Sequence, residues 1–189
     1  AEDGYRVAGV YCRSQEEMAS LAASCGVIPI AADLAQTETL PRLAETVLEQ
    51  LGQVDVLVNN AACSYINLFQ CMPPEQVRRL YAVNLTAVVE LSRLLLPSMI
   101  SRHTGCIVNI SSMWGETGAS CEVNYSVTKA ELKINEAHTL IKLKLTVDTH
   151  YGSVMDYFEI FMQRMILCRK AAEKLGLQFK LMINEQQLI

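Results

Sequence analysis

Short runs of apolar residues return at intervals along this chain, and between them lie stretches whose apolar residues recur every three or four positions. That alternation constrains the fold more than any other feature. A run that is apolar almost throughout is a strand buried on both faces, and parallel strands need a covering helix in each connection. Residues 5–12 (YRVAGVYC) predict a strand, 14–25 a helix with Ser14 as its N-cap, and 27–31 a second strand. Residues 37–51 predict a helix with Leu40, Leu43, Val47, Leu48 and Leu51 on one face, ended by Gly52. Residues 54–58 predict a third strand, 73–100 one long or two consecutive helices, and 106–110 (CIVNI) a fourth strand. The expected architecture is α/β, a doubly wound parallel sheet. Ligands in such sheets bind beyond the carboxyl ends of the strands, which directs attention to Arg13, Asp33, Asn59 and Ser111-Ser112.

The composition narrows the function classes. At 189 residues, 51% apolar and 19% charged, the chain suits one globular domain with a sizeable core. A net charge of −4 supplies no global attraction for phosphate backbones or anionic lipid, so neither nucleic acid nor a membrane is expected as a partner. No uninterrupted apolar run reaches the roughly 18 residues of a membrane span. The opening AEDGYRV lacks the basic-then-apolar layout of a secretory leader, which makes the cytoplasm the expected location. The seven cysteines are dispersed, with no CxxC pair, and His103, His138 and His150 follow no ligand spacing, so reduced thiols and no metal are expected.

Tyr125 and Lys129 stand four apart in NYSVTK, one helical turn apart on one face. A neighbouring ammonium favours the phenolate and lowers the pKa of a tyrosine toward useful values, and such a pair can exchange a proton with a carbonyl oxygen. Ser112 follows the fourth strand directly, 13 residues before Tyr125, where its hydroxyl can meet the same oxygen. Asn59-Asn60-Ala61 follow the third strand. Asn84 lies in YAVNLTAV, where a polar amide among apolar residues needs a partner; a satisfied core amide is the plain alternative. Trp114 either lines a pocket or packs its own loop, and Cys121 lies four residues before Tyr125.

Taken together, Asp33-Leu34, Asn59-Asn60-Ala61, Asn84, Ser112 and Tyr125-x-x-x-Lys129, in this order and spacing, resemble the short-chain dehydrogenase/reductases. The resemblance covers about residues 5–130 and is closest to the bacterial 3-oxoacyl-ACP reductase group. Within it, SSMWGETGASCEVNYSVTKA looks most like reductases of aminopentanone-modified elongation factor P. The resemblance implies a Rossmann-like fold and reduction of a ketone held on a thioester carrier or a modified protein, in an enzyme that is usually a homo-oligomer. It implies that Tyr125 protonates the carbonyl oxygen, Ser112 steadies it, Lys129 lowers the Tyr125 pKa and holds the nicotinamide ribose, and Asn84 anchors a proton-relaying water. Asn59, Asn60 and Ala61 would line the cofactor, and Asp33-Leu34 would meet the adenine. Arg13 either pairs with a 2′-phosphate, favouring NADPH over NADH, or is a solvated surface arginine.

Two departures qualify these expectations. The family's first strand and its glycine-rich turn, TGxxxGxG, are missing: no three of the nine glycines fall at that spacing, so the sheet is expected to lack its central strand and the cofactor its phosphate cradle. After Ala130 the family pattern ends. Residues 1–130 are thus expected to form a partial dehydrogenase domain, and 131–189 an unmatched, mostly helical segment packed on it, with a helix over 153–175. Two readings follow: an NADPH-dependent ketoreductase, or an inactive fragment or interaction module derived from one.

Overall fold

A computed structural model of the chain describes residues 4–134 and the backbone of 183–185. The helix expected over 153–175, the thiol of Cys168, and His138 and His150 lie outside the described residues. Strands β1 (Ala8–Tyr11), β2 (Ile28–Ala31), β3 (Val56–Asn59), β4 (Cys106–Asn109) and β5 (Ile183–Glu185) alternate with helices α1 (Gln15–Cys25), α2 (Leu40–Leu51), α3 (Pro74–Tyr81), α4 (Ala87–Ser101), α5 (Trp114–Thr117) and α6 (Val123–Ile134). β1 pairs with β2 and β5, and β3 with β4, every pair parallel. The α/β reading therefore holds.

The strand pattern needs two corrections. β2 is not covered on both faces: only Ile30 of its four residues is buried. It pairs with β1 alone among the described strands, and that edge position is where Pro29, which cannot donate to a ladder, is tolerated. The central place of the sheet is also not empty. β5 pairs with β1 at Gly9–Ile183, Val10–Asn184 and Tyr11–Glu185, and its other side lies next to β3. The hydrogen-bonded order is β2-β1-β5 in one ladder and β3-β4 in a second, with β5 and β3 as neighbours. A strand from far along the chain stands in the gap the sequence leaves between β1 and β3.

The core forms where helix stripes meet these strands. Leu40, Leu43, Ala44 and Val47 of α2 are buried against Val10, Leu57, Val83, Ala87 and Leu91, with Leu48 and Leu51 at the margin, as their spacing predicts. Gly26 ends α1 in the left-handed conformation (φ +67°), its N–H returning to the Ala22 carbonyl. Ser14 holds the N-cap place without capping through its side chain. α3 and α4 are joined by a π-helical turn, Ala82–Thr86, into one run, Pro74–Ser101, of 28 residues. By length and composition this run matches a membrane span, although charged residues interrupt every apolar stretch in it. Its apolar side, Val83, Ala87, Leu91, Leu95 and Met99, packs into the core cluster, which accounts for that hydropathy.

Candidate active site

The loop after β4 and the face of α6 are stitched together at several points. The Ser111 hydroxyl donates to the Lys129 carbonyl at 2.6 Å, and the Lys129 ammonium donates to the Ile110 carbonyl at 2.8 Å. The short α5 lies against the same turn of α6. A Cβ on Gly115 would stand 2.7 Å from the Lys129 carbonyl carbon and 2.8 Å from the Ala130 nitrogen, so only glycine lets the two backbones approach this closely. Ser112 is 4% exposed, and its Oγ accepts the Trp114 N–H at 3.2 Å, which orients the hydroxyl at the head of α5. Tyr125 and Lys129 share a face as their spacing predicts, with the ammonium 5.7 Å from the centre of the phenol ring. Tyr125 is half-buried and Lys129 2% exposed.

Burial pushes the Lys129 pKa down from the usual 10.5 to about 8, opposed weakly by the nearby Cys63 thiol. A base whose folded value lies below its unfolded one binds protons more readily in the unfolded chain. The burial cost is therefore complete below about pH 8 and is relieved as pH rises from 8 toward 10.5. Lys129→Met removes that cost. Its stability relative to the parent should be more favourable at pH 7 than at pH 10 by on the order of 2–3 kcal/mol, measured by urea denaturation. A stability difference that does not change with pH would mean the ammonium is not held in a dry environment.

Asn84 is fully buried, carried inward by the π-helical turn. Its Oδ1 accepts the Cys63 N–H and its Nδ2 donates to the Cys63 carbonyl, both at 2.8 Å, with a further bond to Thr128 Oγ1 at 3.2 Å. The side-chain amide thus clamps the loop after β3 to α6. The Thr128 and Cys63 partnerships had no signal in the local sequence, because the partners lie 44 and 21 positions away.

The residues expected to meet the cofactor divide. Asn60 is half-buried and Ala61 buried where β3 ends, and Arg13 is exposed where β1 ends. Asn59 is corrected: its amide points across the sheet, donating to Asn109 Oδ1 at 2.8 Å and Ser92 Oγ at 3.3 Å, so it ties β3 to β4 and α4. The Leu34 side chain is 3% exposed inside the core, which leaves only its backbone for a cofactor. Asp33 is held by Arg79 of α3 through two hydrogen bonds of 2.9 and 3.0 Å. That guanidinium keeps the Asp33 carboxyl below the usual carboxylate range. Among the described residues no glycine turn stands at the end of β1, β2 or β3.

Comparison with known proteins decides the family. The short chain dehydrogenase sequence model matches residues 1–135. The chain belongs to the short-chain dehydrogenases. Among curated members, an acetoacetyl-CoA reductase from Rhizobium meliloti is 35% identical over 127 residues, covering 67% of this chain and 53% of the relative. The 3-oxoacyl-[acyl-carrier-protein] reductase FabG of Staphylococcus aureus is 32% identical over 135 residues, covering 69% and 55%. A crystal structure of a short-chain dehydrogenase from Streptomyces avermitilis superposes with a TM-score of 0.64 at 28% identity, covering 70% of this chain and 59% of that one. The chain spans about half the length of the curated relatives it matches. The α5–α6 arrangement therefore belongs to a dehydrogenase scaffold, with Tyr125 and Lys129 on its helix and Ser112 at its strand end.

Proposed function

We propose that this short-chain dehydrogenase serves the NADPH-dependent reduction of a ketone to an alcohol, the ketone being carried on a thioester. The observation that carries the reading is the buried cation of Lys129 beside the Tyr125 ring, fixed to the same loop that presents Ser112. With a pKa of about 8 the ammonium is still mostly charged at neutral pH, and its charge favours the developing phenolate as Tyr125 gives its proton to the carbonyl oxygen. The Ser112 hydroxyl, oriented on Trp114, hydrogen-bonds the same oxygen as negative charge gathers there. Asn84 keeps the loop after β3 at its distance from α6. A reduced nicotinamide, when bound, supplies the hydride that reaches the carbonyl carbon.

On this reading Lys129, Tyr125 and Asn60 would hold the nicotinamide end of the cofactor, and Arg13 with Asp33 its adenosine end. The thioester class is supported by the names of the two relatives, one acting on acetoacetyl-CoA and one on an acyl-carrier-protein ketone. The narrower substrate, an aminopentanone on elongation factor P, is supported by residues 111–130 alone.

Titration of the 189-residue chain with NADPH and, in parallel, NADH tests the reading, followed by cofactor fluorescence. Saturable binding that is tighter for NADPH, with turnover of acetoacetyl-CoA, is expected. No binding would favour the second reading, an inactive or interaction module, for which the lack of a glycine turn at the described strand ends speaks.

A further inference from the structure

The residues between Tyr125 and Lys129 are not equivalent. Val127 is 46% exposed, whereas Thr128 is completely buried. A valine has nearly the shape of a threonine, so a hydroxyl at such a position is unfavourable unless it is hydrogen-bonded. The Thr128 hydroxyl is bonded twice. Its Oγ1 accepts an N–H from Asn84 Nδ2 at 3.2 Å and donates to the Tyr125 carbonyl at 2.8 Å. The partners fix the direction of its proton, because an amide nitrogen only donates and a carbonyl only accepts. Asn84 in turn holds the N–H and the carbonyl of Cys63, both at 2.8 Å. A continuous set of hydrogen bonds therefore runs from the loop after β3, through Asn84 and Thr128, to the turn of α6 that carries Tyr125.

Reduction of a carbonyl brings two donors to adjacent atoms, a hydride to carbon and a proton to oxygen. On the proposed function the loop after β3 lines the nicotinamide cofactor with Asn60 and Ala61, and Tyr125 supplies the proton. The separation of that loop from Tyr125 then decides whether both donors reach one carbonyl group. We propose that Thr128 is a positioning residue, whose hydroxyl sets the separation between the cofactor-lining loop and Tyr125. It acts through Asn84 and the Tyr125 backbone rather than on the reacting atoms. Lys129, bonded to the Ile110 carbonyl, secures α6 to the loop after β4 instead. The inference rests on the reading of the protein as a nicotinamide-dependent reductase.

Thr128→Val keeps the shape and removes the hydroxyl, and Thr128→Ser keeps the hydroxyl and removes a methyl group. Thr128→Ala is a second hydroxyl-free variant. Asn84 Nδ2 retains the Cys63 carbonyl in all three, so the buried amide is not left without a partner. NADPH titration counts the competent sites in each preparation, and acetoacetyl-CoA reduction is measured per site, so loss of folded protein does not enter the rate. Both hydroxyl-free variants should lose about 10- to 100-fold in kcat per site, the scale of a misplacement of up to about 1 Å. KM for acetoacetyl-CoA should stay within about threefold of the parent, and Thr128→Ser should recover most of kcat. A kcat per site within about threefold of the parent in Thr128→Val and Thr128→Ala overturns the proposal, as does a rise in KM alone. A Thr128→Ser variant as slow as Thr128→Val also overturns it, by assigning the effect to packing of the methyl group. Each of these results leaves the reductase reading standing. A parent chain that neither binds NADPH nor reduces acetoacetyl-CoA overturns that reading, and this proposal with it.

Discussion

Tyr125→Phe should lower kcat for acetoacetyl-CoA reduction by about 10²- to 10⁴-fold, the range lost when a positioned general acid is removed. The substitution takes away one oxygen and leaves the ring, so the contact with the Lys129 ammonium at 5.7 Å persists and α6 keeps its packing. NADPH affinity should change far less than kcat, since a missing proton donor is felt only as the carbonyl oxygen gains charge. Steady-state rates and a cofactor titration on the same preparation check both halves. A kcat within tenfold of the parent would assign the proton to another group, and an equal fall in cofactor affinity would make Tyr125 a binding residue instead.

Gly115→Ala is expected to destabilise the protein by about 2 kcal/mol and to slow the reaction as well. Alanine is the better helix former by about 1 kcal/mol, so an exposed glycine in α5 would gain from the change. Here the added carbon would lie 2.7–2.8 Å from three backbone atoms of Lys129 and Ala130, and backbone cannot turn aside as a flexible side chain does. Overpacking of this kind costs roughly 1–3 kcal/mol, and relieving it requires α5 to move away from α6. That movement would shift the Ser112 hydroxyl relative to α6, because Ser112 accepts the Trp114 N–H at the start of α5. Urea denaturation and the reduction rate measured together should both fall. A variant as stable as the parent would show that the two helices are farther apart than described.

What the chain declares locally and what it does not follow a physical division. The strand at Val56–Asn59, the α2 stripe of Leu40, Leu43 and Val47, and the shared face of Tyr125 and Lys129 are all set by periodicity within a few residues, and each is legible. β2 reads as doubly covered because an apolar run looks the same at an edge, and only Pro29 marks the difference. The orientation of Asn59 toward Asn109, and of Asp33 toward Arg79, depends on partners 50 and 46 positions away. Nothing in the neighbourhood of either residue encodes such a partner. The π-helical turn at Ala82–Thr86 is equally silent in sequence, yet it sets the depth of Asn84. Gly115 carried a signal, a glycine in the loop after a strand, but its meaning appears only when α6 is packed against it.

The pairing of β5 with β1 has a consequence for how the protein is made. Residues 9–11 are synthesised before, and the segment that hydrogen-bonds them, 183–185, only after, every other described strand and helix from α1 to α6. Contacts so distant in sequence form slowly, because all the residues between them must close into a loop first. Until then the edge of β1 that β5 covers has no partner among the described strands, beside apolar residues such as Val10. During that interval the nascent chain is exposed to strand-for-strand capture by other copies, so its yield in the cell should depend on translation rate and on chaperones that shield unpaired edges.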